Sequence, residues 1–169
     1  MSDSVPTPAS VTSAPRGGVR RLLLMRHARA TGTHHDAELT PDGERQADEV
    51  GSRLRAAGLV PDLVVCSDAR RTRATADGVL AGLGATPPVE AESALYGASP
   101  DTTLELVTMT EPAVGTLLVI GHNPSMALLA TGFLDDAPDS FPPATVVVVE
   151  LEVEWLYAAP GTGRGRLLV

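Results

Sequence analysis

The 169-residue sequence contains no lysine, and all 13 of its basic residues are arginine. A Walker-type phosphate loop, a Schiff-base enzyme and a lysine acid–base site each require an ammonium side chain, so all three are excluded. Cysteine is nearly as scarce: Cys66 alone permits neither an internal disulfide nor a cysteine-rich zinc site. The aromatic residues Tyr96, Phe133, Phe141, Trp155 and Tyr157 are too few for a base-stacking platform or an aromatic sugar groove. A net charge of −8 repels polyanions, so no nucleic acid partner is expected. The apolar runs, such as Leu22 to Met25 and Val146 to Val149, are too short to cross a bilayer. The N-terminal residues also lack the apolar stretch of a signal peptide, so the expectation is a cytoplasmic protein without a membrane partner.

What is present reads as a globular chain, 43% hydrophobic and long enough for one domain with a real core. Residues 1–18 are rich in Ser, Thr, Pro, Ala and Gly without hydrophobic period, which predicts a disordered tail ahead of a single domain at 19–169. From Val19 onward, short β-branched or Leu-rich runs alternate with helical segments, the pattern of an α/β sandwich with a mostly parallel sheet. Strands are expected at 21–25, 63–66, 88–91 and 116–120, with a long one at 144–154 and a final pairing strand at 164–169. The alternation of Glu150, Glu152 and Glu154 with Leu151, Val153 and Trp155 predicts a sheet edge with one wet face. Helices are expected from Pro41, capped by Thr40 and ended by Gly58, at 69–83, from Ser99 to Met109, and at 125–133.

Three short segments follow strand ends: Arg26-His27-Ala28, Ser67-Asp68-Ala69-Arg70-Arg71 and Gly121-His122-Asn123-Pro124. In an open α/β sheet the carboxyl ends of parallel strands share one edge, where ligand crevices form. The charge map agrees, because eleven arginines fall between positions 16 and 73, whereas residues 74–163 hold twelve acidic side chains and no arginine. An acidic chain that keeps arginines directly behind its strands is built to trap a small dianion, since the planar guanidinium fork matches phosphate oxygens. The helix starts at 68–71 and 124–126 add backbone N–H donors to this expectation. A neutral imidazole is a competent nucleophile toward phosphorus, and flanking arginines favour the neutral form. His27 is therefore the candidate nucleophile, and Arg26, Arg71 and His122 are the candidate cradle for the phosphoryl oxygens.

In order and spacing, LLLMRHARA, ELTPDGERQA, VVCSDARRTRAT and LVIGHNPS resemble the motifs of the histidine phosphatase superfamily, the phosphoglycerate-mutase-like fold. The resemblance covers roughly residues 20–155, and its short core and GHNP motif are most similar to SixA-type phosphohistidine phosphatases. It implies a three-layer sandwich with helices on both faces of the sheet. It also implies a metal-independent phosphatase that needs no cofactor and forms a phosphohistidine intermediate on His27. With Ser67 and Thr75 fixing the frame, the family's helix arginine falls on Arg71, and its neighbour Arg70 is a secondary candidate for binding the phosphate. The Asn that mutases carry six residues after the nucleophile is Thr33 here. The glutamate that serves many members as general acid is replaced by Ser93, leaving Glu92 beside it as a possible proton donor.

The implied substrate is protein phosphohistidine, whose imidazole leaves far more readily than an alkoxide. A phosphomonoesterase acting on a small phosphorylated metabolite, or a non-catalytic phosphohistidine-binding module, are the alternatives. The His34-His35-Asp36 run is not expected to hold a metal, because adjacent loop side chains rarely converge on one ion. Cys66 is expected to be packed, and Arg29 to lie at the rim.

Overall fold

The computed structural model describes residues 18–169, so the tail expected at 1–18 lies outside the described residues except for Gly18. The elements run β1 (Arg20–Arg26), α1 (Pro41–Ala56), β2 (Leu63–Ser67), α2 (Arg70–Leu83), β3 (Val89–Glu92), α3 (Pro100–Thr108), β4 (Thr116–Gly121), α4 (Ser125–Thr131), β5 (Val146–Leu151) and β6 (Gly163–Leu167). One six-stranded sheet has the order β3-β2-β4-β1-β5-β6. The first four of these strands are mutually parallel, and β5 runs antiparallel to both neighbours.

Local chemistry sets the helix ends. The Thr40 hydroxyl accepts the Gly43 N–H at 3.0 Å, Pro41 occupies the first turn, and Asp42 and Glu44 face the positive end of the dipole. Ser99 caps α3 in the same way through Thr102 N–H. Gly84 ends α2 with φ +71°, a conformation that side-chain-bearing residues rarely adopt.

Because successive strand side chains point to opposite faces, each strand supplies both layers of core. Leu23, Met25, Val64, Cys66, Leu118 and Ile120 pack under Ala47, Val50 and Leu54 of α1 and Ala76, Val79 and Leu83 of α2. The other face sets Leu22, Leu24, Val65, Leu117 and Val119 against Val107 of α3, Met126 and Leu129 of α4, and Trp155. The result is the three-layer α/β sandwich with a mostly parallel sheet. Glycines bring α1 and α2 into backbone contact: a Cβ on Gly51 would stand 2.0 Å from the Val79 carbonyl oxygen, and one on Gly82 would stand 2.0 Å from that of Asp48.

The long strand expected at 144–154 is shorter, and it is not an edge. Val146–Val149 are completely buried between β1 and β6, and the chain leaves the sheet after Leu151. Trp155 enters a short 3-10 turn, is buried, and donates its indole N–H to the Val114 carbonyl at 2.7 Å. That buried hydrogen bond accounts for the departure, since the indole must satisfy its donor below α3 and not along a strand. β6 is the edge on that side of the sheet, and α4 ends at Thr131, short of the expected Phe133. No helix among the described residues is long and apolar enough to cross a membrane.

Candidate active site

The register places Arg26 opposite Gly121 and Cys66 opposite Ile120, so the carboxyl ends of β1, β4 and β2 finish at one level. The residues that follow these three adjacent strands therefore meet, although the chain separates them widely. The ring centres of His27 and His122 lie 5.3 Å apart.

His27 is only 9% exposed. Its Nδ1 lies 2.7 Å from the Ala28 carbonyl, which can only accept, so Nδ1 carries the proton and Nε2 presents its lone pair. Burial, with the nearby charges of Arg71 and Arg26, pushes its pKa down to about 4. The ring is thus a neutral base of fixed tautomer at physiological pH.

Arg71 is buried and links the parts of the site. Its Nε donates to His27 Nε2 at 3.3 Å, its Nη1 to the His34 carbonyl at 2.8 Å, and its Nη2 to His122 Nδ1 at 3.1 Å. Because Arg71 can only donate, His122 must carry its proton on Nε2, which donates to the Ser67 hydroxyl at 2.8 Å. Burial and the adjacent Arg71 charge push His122 down to about 4 as well.

The first turns of α2 explain the spacing of Ser67, Arg71 and Thr75. Ser67 orients His122, and four residues later Arg71 reaches both imidazoles. One helical turn further, the Thr75 hydroxyl donates to the Arg71 carbonyl at 2.7 Å and accepts the Ala28 N–H at 3.0 Å, tying the nucleophile's loop to the helix. Arg26 donates from Nη1 to the Phe141 carbonyl at 2.9 Å, where Asn123 Nδ2 also donates. Arg26 Nε is buried without a partner among the described residues.

Two candidates point elsewhere. Arg70 forms an ion pair with Glu38 at 2.5 Å and joins Arg73 and Asp77 in a groove beside β3. One residue along a helix turns a side chain by about 100°, which separates Arg70 from Arg71. Glu92 pairs in register with Ser67, but it lines a cavity below α3 with Leu63, Val65, Leu106 and Met109 and bonds to no residue of the His27 cluster. The helix starts contribute less than expected: the Arg70 N–H goes to the His35 carbonyl and the Met126 N–H to the His122 carbonyl. Cys66 is buried, which pushes its thiol up to about 11 and keeps it an inert packing group.

Sequence reasoning missed the aromatic side of the site. Tyr96 stands edge-on to His122, with ring centres 5.5 Å apart, and to His35 at 5.0 Å, and the Arg71 guanidinium lies 5.9 Å from its ring centre. His35 Nε2 is bonded to Asp68 Oδ1 at 3.0 Å. The His34-His35-Asp36 run carried the signal but was weighed only as a metal site. Among the described residues no cluster of three metal-ligating side chains occurs.

Residues 22–97 match the sequence profile of the histidine phosphatase superfamily (branch 1). An uncharacterized protein of Mycobacterium tuberculosis is 33% identical over 151 residues, spanning 81% of this chain and 93% of its own. A solved structure from Nakamurella multipartitia, provisionally named phosphohistidine phosphatase SixA, is 32% identical with a TM-score of 0.78, covering 89% of this chain and 95% of that one. The protein histidine phosphatase SixA complexed with tungstate shares the fold at a TM-score of 0.66 and 21% identity, over 87% of this chain and 93% of its own.

Proposed function

The chain belongs to the histidine phosphatase superfamily, and from that premise we propose that it is a metal-independent phosphatase that works through a phosphorylated His27. The observation that carries this reading is the His27 Nε2 lone pair, fixed by the Ala28 carbonyl and set against a guanidinium that also holds His122. Nε2 attacks phosphorus in line, the P–N or P–O bond to the leaving group breaks, and water then attacks the phosphorylated imidazole to release inorganic phosphate. Arg71, Arg26 and His122 hold the three equatorial oxygens, where charge gathers in the transition state. An anion oxygen within reach of Arg26 Nε would satisfy that buried donor.

The favoured substrate is phosphohistidine on a cytoplasmic protein. Two observations support it: the match of 32% identity to a chain bearing that name, and the placement of Glu92 away from His27, which removes that carboxylate as the proton donor. An imidazole departs from phosphorus with a conjugate-acid pKa of roughly 6.5, so it needs far less help than an alkoxide.

His27→Ala should abolish turnover and remove the acid-labile, base-stable phosphoryl label seen on rapid quench, with the fold unchanged by circular dichroism. Retained turnover would sink the mechanism. Rates on a phosphorylated His-domain protein and on sugar phosphates at matched concentration test the substrate. A preference for sugar phosphates by orders of magnitude would establish a metabolite phosphomonoesterase instead.

A further inference from the structure

A leaving group must take up a proton as its bond to phosphorus breaks, whether it departs as an alcohol or as an imidazole ring. In-line attack sends the leaving group to the side of phosphorus opposite His27 Nε2, and His27 itself is only 9% exposed. Two side chains packed on the His122 side of the cluster are substantially open to solvent and mark its mouth: Tyr96 is 41% exposed and the His35 side chain 43%.

His35 is held there from several directions. Its Nε2 donates to Asp68, in the turn that joins β2 to α2. Its ring edge meets the Tyr96 ring, which in turn meets His122 and the Arg71 guanidinium. Its carbonyl receives the Arg70 N–H at the start of α2, and the preceding carbonyl, of His34, receives Arg71 Nη1. The loop that carries His35 is therefore pinned at two successive carbonyls to the helix that carries the cradle. The titratable and charged groups facing the ring are Asp68, Asp36 at 3.6 Å from Nδ1, and Tyr96, with Arg71 and His122 behind Tyr96. With Nε2 committed to Asp68, Nδ1 is the nitrogen free to exchange a proton.

We propose that His35 is the proton donor to the leaving group, with Asp68 as the positioning residue that holds its ring at the mouth. This deepens the phosphatase reading and rests on it. As Nε2 of His27 bonds to phosphorus and the bond to the leaving group breaks, the Nδ1 proton of the His35 imidazolium passes to the leaving atom, or to the far ring nitrogen of a departing imidazole. Neutral His35 then takes a proton from the attacking water in the second step, which restores the imidazolium and delivers hydroxide to phosphorus. Imidazole suits both directions because its ring nitrogens can donate a proton in one step and accept one in the next.

The test compares p-nitrophenyl phosphate, whose leaving group needs no proton, with phenyl phosphate, whose leaving group does. His35→Gln should lower kcat/KM for phenyl phosphate by about 10²-fold or more. The same variant should leave kcat/KM for p-nitrophenyl phosphate within about threefold of wild type and still yield phosphorylated His27, which also shows that the fold is intact. Asp68→Asn should show the same selectivity between the two esters at smaller size. Equal losses on both esters, or no loss on either, would overturn the assignment of His35. Loss of the phosphoryl label from the wild-type enzyme would overturn the underlying phosphatase reading instead, so the two failures are distinct.

Discussion

Replacing Arg71 with lysine tests the cradle at its centre. The guanidinium donates from three nitrogens in a fixed fork: Nε to His27, Nη1 to the His34 carbonyl and Nη2 to His122. An ammonium keeps the charge but is a single compact head, so it cannot serve two imidazoles and a carbonyl in those directions. In the proposed mechanism, the two N–H groups beside the imidazoles are those that meet the equatorial oxygens as phosphorus is transferred. Charge-assisted hydrogen bonds contribute about 1.5–3 kcal/mol each, so losing both fork contacts costs about 3–6 kcal/mol of transition-state stabilisation. Retained positive charge offsets part of that loss, which places the expected effect near 3 kcal/mol, or about 10²-fold in kcat/KM. The assay is steady-state turnover of p-nitrophenyl phosphate, with rapid-quench phosphorylation to show that the loss lies in the first chemical step. A lysine variant within threefold of wild type would refute the claim that fork geometry, and not charge alone, stabilises the transferring group.

Acid titration provides another check. His27 and His122 titrate near 4 when folded, against 6.5 for an ordinary histidine, so between those values the unfolded chain binds more protons. Stability must therefore fall as pH drops from 6.5 toward 4, and His27→Gln should flatten that slope in melting curves; parallel curves would contradict the buried neutral state. Gly51→Ala forces a methyl against the Val79 carbonyl and should cost about 1–3 kcal/mol, lowering Tm by several degrees, whereas Glu49→Ala on the outer face should shift stability by under about 0.5 kcal/mol. Thr75→Val preserves shape but strands the buried Ala28 N–H, with an expected loss of about 1–3 kcal/mol by denaturant titration. An unchanged midpoint would show that the clasp between loop and helix is unimportant.

Much of the architecture was legible because its signals are local. Thr40-Pro41 and Ser99-Pro100 announce helix starts by side-chain caps and fixed φ, and Gly58 announces a stop, so those boundaries lie within a residue or two of the structure. Strands buried on both faces, such as Leu22–Met25, read as unbroken apolar runs. What was not legible depends on contacts between distant parts of the chain. The Ser67 and Thr75 frame singles out Arg71, but the partner that takes Arg70, Glu38, is brought over from another loop and no local pattern announces it. Glu92 sits at a height set by pairing with β2, and its face is fixed by α3, which no pattern within 88–92 encodes. The alternating glutamates from Glu150 onward fit a strand equally well as a turn until the Trp155 hydrogen bond decides between them. His35 gains meaning only from Asp68 and Tyr96.

The position of β1 in the sheet also has a consequence in time. Although β1 is followed directly by α1 and β2, it does not pair with β2; its neighbours are β4 and β5, both from the second half of the chain. On a ribosome adding about 5–20 residues per second, the interval between completing Arg26 and completing Gly121 is on the order of 5–20 s. During that interval the apolar segment from Leu22 to Met25 has no hydrogen-bonding partner in the sheet, and His27 has no His122. Recovery of activity is therefore a late event in folding, a report that the long-range pairing of β1 with β4 has closed. Any protection that a nascent chain needs against association falls most heavily on its first strand.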